Sequence, residues 1–151
     1  MSTVSRTIVY VLCILTFTVG IFLSVRESNN TMIHSQNFVI NGGTFNLDAY
    51  VIITDDTDAA VKFANDTLDQ EYTKDDFKAG GLTLCDDLCT TFVVWLPVNS
   101  SKNTSIVHHE LVHLTYAILH AVGIELSPET DEVYAYELQH LSEQFYKQLN
   151  Q

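Results

Sequence analysis

Residues 108–141, "HHELVHLTYAILHAVGIELSPETDEVYAYELQHL", predict two helices separated by a short break. The first helix is predicted over about 105–122, and Gly123 supplies a left-handed residue that ends it. Ser127-Pro128 is typical of an N-cap followed by a first-turn proline, so the second helix is predicted to begin there and to run towards Leu149. The end of the chain is therefore expected to fold as a helical hairpin.

The first of these helices carries a His-Glu-x-x-His pattern formed by His109, Glu110 and His113. Positions four apart share one helix face at about 6 Å, so both imidazoles can offer a nitrogen to one metal ion. Glu110 is rotated by about 100° from His109, which suits a general base better than a ligand. The alternative is an amphipathic helix that carries histidines on one side.

Two histidines need a third ligand, and the second helix offers four acidic candidates. These are Glu129, Asp131, Glu132 and Glu137. Catalytic zinc sites use three protein ligands of nitrogen or oxygen type and leave one position open. A carboxylate from the second helix would complete such a set.

"HHELVH" at 108–113, followed by "DEVYAYEL" at 131–138, resembles the HExxH–Glu zinc metallopeptidases, the gluzincin-like group. The similarity is strongest to the small HExxH proteins encoded by bacteriophages. In that group the third ligand is a glutamate with a small residue three positions later, as Glu132 and Ala135 are here. The resemblance covers residues 108–141, and Glu137 and Asp131 stay open as alternative third ligands.

The resemblance implies zinc-dependent hydrolysis of a peptide or protein substrate. Zn²⁺ would be held by His109, His113 and Glu132, with Glu110 as the general base. It further implies that the strand at 90–96 is an edge strand to which a peptide adds by backbone pairing. The alternative function is a non-catalytic module, zinc-stabilised or simply acidic, that binds a protein partner.

The residues before the histidine helix predict two hairpins with a helix between them. In the first hairpin, an apolar stretch at 38–40 and a stretch with β-branched residues at 47–54 lie on either side of Asn41-Gly42, which is typical of the two positive-φ positions of a tight turn. Asp56 or Thr57 is predicted to cap the intervening helix.

Gly80-Gly81 breaks the chain after this helix. The second hairpin ends in a continuous apolar and β-branched strand at 90–96. Cys85 and Cys89 flank its turn, where they are either within disulfide reach or reduced.

These elements give the order β-β-α-β-β-α-α for residues 32–151. We predict an α+β fold. The resemblance further implies a small zincin-like domain, in which an antiparallel or mixed sheet packs on the helical hairpin.

Residues 8–25 carry no charge and lie between Arg6 and Arg26. Eighteen helical residues span about 27 Å, so residues 1–31 are predicted to be an N-terminal hydrophobic helix that anchors the protein in a membrane by a single pass. The alternative is a misassigned start, with translation from Met32 giving a soluble cytoplasmic protein.

The chain has 19 acidic and seven basic residues and a formal net charge of −12. Nucleic acid is therefore not expected as a partner, because phosphate binding needs concentrated lysine and arginine.

Overall fold

In the computed structural model, residues 35–151 are described, and they belong to a unit that spans Met32–Gln151. Four strands and three helices follow one another in the predicted order. They are β1 (Gln36–Asn41), β2 (Asp48–Ile53), α1 (Thr57–Leu68), β3 (Leu82–Cys85), β4 (Phe92–Leu96), α2 (Thr104–Ala121) and α3 (Asp131–Leu149). The α+β class and the element order are confirmed.

The four strands form one mixed sheet in the order β1-β2-β4-β3. β1 and β2 pair antiparallel, β2 and β4 pair parallel, and β3 and β4 pair antiparallel. The parallel pair needs a crossover, and α1 lies within the connection that provides it.

Both faces of the sheet are covered by helices, and β4 shows this most clearly. Phe92, Val94 and Leu96 pack into a core shared with α2 and α3, whereas Val93 and Trp95 pack on the opposite face with α1. All five residues of the strand are buried because successive side chains point to opposite faces. The helical hairpin therefore lies on one face of the sheet and α1 on the other.

The predicted edge position of the strand at 90–96 is wrong. β4 lies inside the sheet, with β2 on one side and β3 on the other. β3 is the edge strand on this side, and residues 82–85 have only one paired neighbour. A strand with apolar residues on both faces is buried from both sides, which is the reason why β4 is central.

The first hairpin forms, but the predicted tight turn at Asn41-Gly42 is wrong. Asn41 stays in β1 opposite Asp48, and Gly42 has a φ of −71°. The connection instead contains a short 3₁₀ helix (Gly43–Phe45), and the left-handed residues are Gly43 and Asn46. The amide of Gly42 donates to the Leu47 carbonyl at 2.7 Å, which closes this longer loop.

The predicted cap at Gly123 is confirmed, since this residue has a φ of 79°. The predicted start of the last helix at Ser127-Pro128 is wrong by three residues, because Thr130 caps α3 and the helix begins at Asp131. Ser127 and Thr130 are linked by hydrogen bonds, including Ser127 N–H to Thr130 Oγ1 at 2.9 Å. These bonds form a separate turn that competes with the helix.

Cys85 and Cys89 are joined by a disulfide, with their Cα atoms 5.0 Å apart. This bond closes the connection between β3 and β4. The predicted membrane helix at residues 8–25 lies outside the described residues. Within residues 35–151, no helix has both the length and the apolar character needed to cross a bilayer.

Candidate metal centre

α2 presents the histidine pair on its outer face. Asn103 caps the helix, and its side chain accepts a hydrogen bond from the Ser105 amide at 3.0 Å. Leu111, Leu114 and Ile118 point into the core, and the histidine pair lies on another side of the helix. His109 is exposed there, and His113, one turn later, is partly buried.

The Nε2 atoms of His109 and His113 are 3.1 Å apart. Two nitrogens bound to one tetrahedral zinc ion at about 2.05 Å would be separated by roughly 3.3 Å. Burial, together with the neighbouring His109, lowers the pKa of His113 and so favours the neutral imidazole. A metal ion binds the neutral form of histidine, so the two imidazoles fit a zinc ion.

Glu110 lies between the two histidines in sequence but points into the protein. Only 5% of it is exposed, and its Oε2 accepts a hydrogen bond from the Thr83 hydroxyl at 2.9 Å. Burial raises the pKa of the Glu110 carboxyl, while the Thr83 hydroxyl and His109 act in the opposite direction. The carboxyl is therefore a stronger proton acceptor than an exposed glutamate.

The edge strand β3 reaches Glu110 because Gly81 precedes it. A Cβ atom at Gly81 would lie 2.8 Å from Glu110 Cγ and 2.9 Å from its Oε1, which is too close for any larger residue. Thr83 and Gly81 are thus part of the site, although the sequence indicated only a chain break at Gly80-Gly81. The alternation of side chains within β3 does not indicate this contact, because the contact depends on how the strand lies over α2.

Glu132, the predicted third ligand, is exposed in the first turn of α3. The neighbouring Tyr134 ring lies 6.3 Å from that of Tyr116, which is three residues beyond His113 on α2. Three residues correspond to about 4.5 Å along a helix axis. The first turn of α3 thus approaches α2 at Tyr116, about one turn beyond His113.

The two alternative third ligands, Asp131 and Glu137, differ in their surroundings. Asp131 Oδ1 accepts a hydrogen bond from the Glu132 amide at 2.8 Å. Glu137 is buried beside Gly42, which also lies against Ile118 of α2. Ile118 is five residues beyond His113 and so points about 140° away from it. Glu137 therefore lies beside a face of α2 other than the one that carries His113.

Among residues 35–151, no group of three or more His, Cys, Asp and Glu side chains is arranged to hold a metal ion. The structure thus brings the two histidines together but does not add the Glu132 carboxylate to them. No family model matches this chain, and no match was found among curated proteins or among solved structures.

Proposed function

We propose that this protein is a zinc-dependent peptidase in which His109, His113 and Glu132 hold the metal and Glu110 is the general base. The observation that carries the proposal is the 3.1 Å separation of the two imidazole Nε2 atoms, with a buried glutamate between them in sequence. A structural zinc site needs no buried base next to its ligands, whereas a hydrolytic one does.

Zinc, when bound, supplies a Lewis acid that polarises a peptide carbonyl and makes a water molecule more acidic. The protein's own part is to accept and return a proton at Glu110. The Thr83 hydroxyl fixes one carboxyl oxygen, so Glu110 keeps one orientation. Its raised pKa lets the same carboxyl accept a proton from water and then donate it to the leaving amine.

The edge strand β3 is the proposed binding surface for the substrate backbone. One side of β3 pairs with β4 and the other side has no strand neighbour among the described residues. A peptide that pairs with the free side would run beside Thr83, which contacts Glu110. β3 thus takes the role that the resemblance implied for the strand at 90–96.

The test of the proposal is Glu110→Gln, measured for zinc content and for hydrolysis of an unstructured protein such as casein. We expect zinc content to be unchanged and hydrolysis to fall by at least about 100-fold, because a general base contributes that factor or more. The matched control is Glu143→Gln, which removes an exposed carboxylate from α3. Hydrolysis that survives in Glu110→Gln would contradict the assigned role.

Metal analysis of His113→Ala and Glu132→Ala separates the proposed function from its alternative. Both variants are expected to lose zinc if the ligand set is correct. Wild-type protein that retains zinc and shows no hydrolysis would instead support a non-catalytic, zinc-stabilised binding module. Wild-type protein that binds no zinc would contradict both.

A further inference from the structure

A cleft lies between the β1–β2 connection and α3, and the histidine pair does not line it. Its volume is about 350 Å³. Phe45 lines it on the side of the connection, and Val133, Tyr136, Glu137 and His140 line it on the side of α3. The cleft therefore combines aromatic and aliphatic walls with two ionisable side chains.

Glu137 is the unusual member of this cleft. Only 7% of the residue is exposed, and its Oε1 is buried without a hydrogen-bond donor among the described residues. Burial raises the pKa of the carboxyl, and the nearby His140 acts in the opposite direction. A buried carboxylate without a partner is costly, so this position calls for a positive group.

The position of the His140 ring in this cleft is set by its contact with Gln144. Gln144 Oε1 accepts from the Asn41 amide at 3.1 Å, and Gln144 Nε2 donates to the Asn41 carbonyl, which fixes the orientation of the side-chain amide. Gln144 Nε2 also lies 2.8 Å from His140 Nε2. Since the Gln144 nitrogen can only donate, His140 Nε2 is the acceptor in this hydrogen bond.

The same hydrogen bond argues against a metal ion in this cleft. The lone pair of His140 Nε2 is used by Gln144, so this nitrogen is not free to coordinate. Glu137 would remain as a single oxygen ligand, and the adjoining walls are apolar or aromatic. An organic cation suits such a surface better, because it can contact carbon atoms and aromatic faces as well as the carboxylate.

Two glycines in the β1–β2 connection keep this wall of the cleft open. A Cβ atom at Gly43 would lie 3.0 Å from His140 Nε2, and one at Gly42 would lie 3.3 Å from Glu137 Oε1. Gly43 also has a φ of 54°, which side chains rarely tolerate. Larger residues at either position would crowd the two ionisable groups.

We propose that this cleft binds a primary ammonium group of a peptide or protein ligand, with Glu137 as the counter-ion. The ammonium group would lie against the carboxylate, its carbon chain against Val133, and its positive charge near the rings of Phe45 and Tyr136. A lysine side chain and a peptide amino terminus both provide this group. The inference stands apart from the proposed hydrolysis, since it uses none of the four residues assigned to it, His109, Glu110, His113 and Glu132.

The experiment is a titration of the full-length, ¹⁵N-labelled protein followed by NMR at the amides of Gly43 and Thr44. One probe is Nα-acetyl-lysine N-methylamide, which has only the side-chain ammonium, and the other is alanine N-methylamide, which has only the α-ammonium. We expect saturable shifts with at least one probe. The probe that binds more tightly identifies the natural source of the ammonium group.

Glu137→Gln is expected to weaken binding by about tenfold or more, the factor for losing a charged hydrogen bond. Glu143→Gln is the matched control, since it removes an exposed carboxylate from the same helix and leaves binding unchanged. Tyr136→Leu, at a position that is 68% exposed, tests the cleft without touching the core. It is expected to weaken binding by roughly threefold, the size of an exposed cation–π contact.

Absence of shifts at Gly43 and Thr44 with both probes would overturn the inference. Equal binding by wild type and Glu137→Gln would overturn it as well. Selective broadening of the Gly43 resonance by Mn²⁺ that depends on Glu137 would show a metal site and would also contradict it.

Discussion

Glu110 and Glu137 are both buried glutamates, but their surroundings differ. Glu110 accepts a hydrogen bond from Thr83 and has His109 nearby, so its charged form is partly supported. Glu137 Oε1 has no donor among the described residues. The surroundings of Glu110 suit repeated proton transfer, whereas those of Glu137 suit the binding of a cation.

The raised pKa of Glu137 predicts how stability depends on pH. Because the folded carboxyl has a pKa above its ordinary value of 4.5, the native state holds the proton more tightly than the unfolded state. The contribution of the protonated Glu137 carboxyl to the free energy of unfolding is fully present below pH 4.5. It is lost as the pH rises through the pKa that this carboxyl has in the folded protein. His140 opposes this effect, and it is the ionisable neighbour whose charge acts on Glu137.

We expect the free energy of unfolding of wild type, relative to Glu137→Gln, to fall as the pH is raised from 4 towards neutrality. Urea denaturation of both proteins at each pH measures this difference. Glu143→Gln provides the control, because it removes an exposed carboxylate from the same helix. A difference that rises with pH would show that the native state favours ionised Glu137.

At the scale of elements, the contact between β3 and α2 brings the proposed base to the proposed substrate strand. Gly81 allows this contact by its lack of a side chain. The disulfide between Cys85 and Cys89 closes the other end of β3. The edge strand is thus held at both ends, by close packing on α2 at one and by a covalent link at the other.

Gly81→Ala is therefore expected to destabilise the protein by about 1–3 kcal/mol, the usual cost of overpacking, and to reduce hydrolysis by displacing Glu110. Gly80→Ala is the matched control, because its Cβ atom would have its nearest neighbour, the Ile106 side chain, at 3.7 Å, an ordinary contact distance. Its effect on stability should stay within about 1 kcal/mol of wild type. Equal effects of the two changes in denaturation and hydrolysis assays would show that the Gly81–Glu110 contact is unimportant.

At the scale of the whole molecule, the three proposed zinc ligands come from both helices of the hairpin. A metal ion bound between α2 and α3 would stabilise the native state, because the unfolded chain does not hold the ligands together. The net charge of −12 adds self-repulsion within the folded chain, which bound cations reduce.

We expect zinc at a hundredfold excess over its dissociation constant to stabilise the protein by about 2.7 kcal/mol, which raises Tm by roughly 10 °C for a domain of this size. Thermal denaturation with and without zinc measures this shift. Glu110→Gln should keep the shift, and His113→Ala should lose it. A shift that is the same in His113→Ala would place the metal at some other site.

Several features of this protein follow from local sequence alone. The histidine helix, the left-handed Gly123 and the alternation of strands with helices depend on periodicity and capping, which act over a few residues. The pairing of His109 with His113 also belongs here, since one turn of helix is enough to bring them together. The continuous apolar run of β4 indicates a central strand, because its side chains are buried on both faces. The resemblance, by contrast, implied an edge strand at 90–96.

Other features were decided only by the tertiary structure. Thr83 reaches Glu110 across 27 positions of sequence, and Asn41 reaches Gln144 across 103. No local pattern specifies such contacts, because they depend on which strand lies at the sheet edge and on how the helices lie over it. The sequence determined that two imidazoles share a helix face. The packing of β3 and of the β1–β2 connection decided which glutamate meets a hydroxyl and which one keeps a buried oxygen without a donor among residues 35–151.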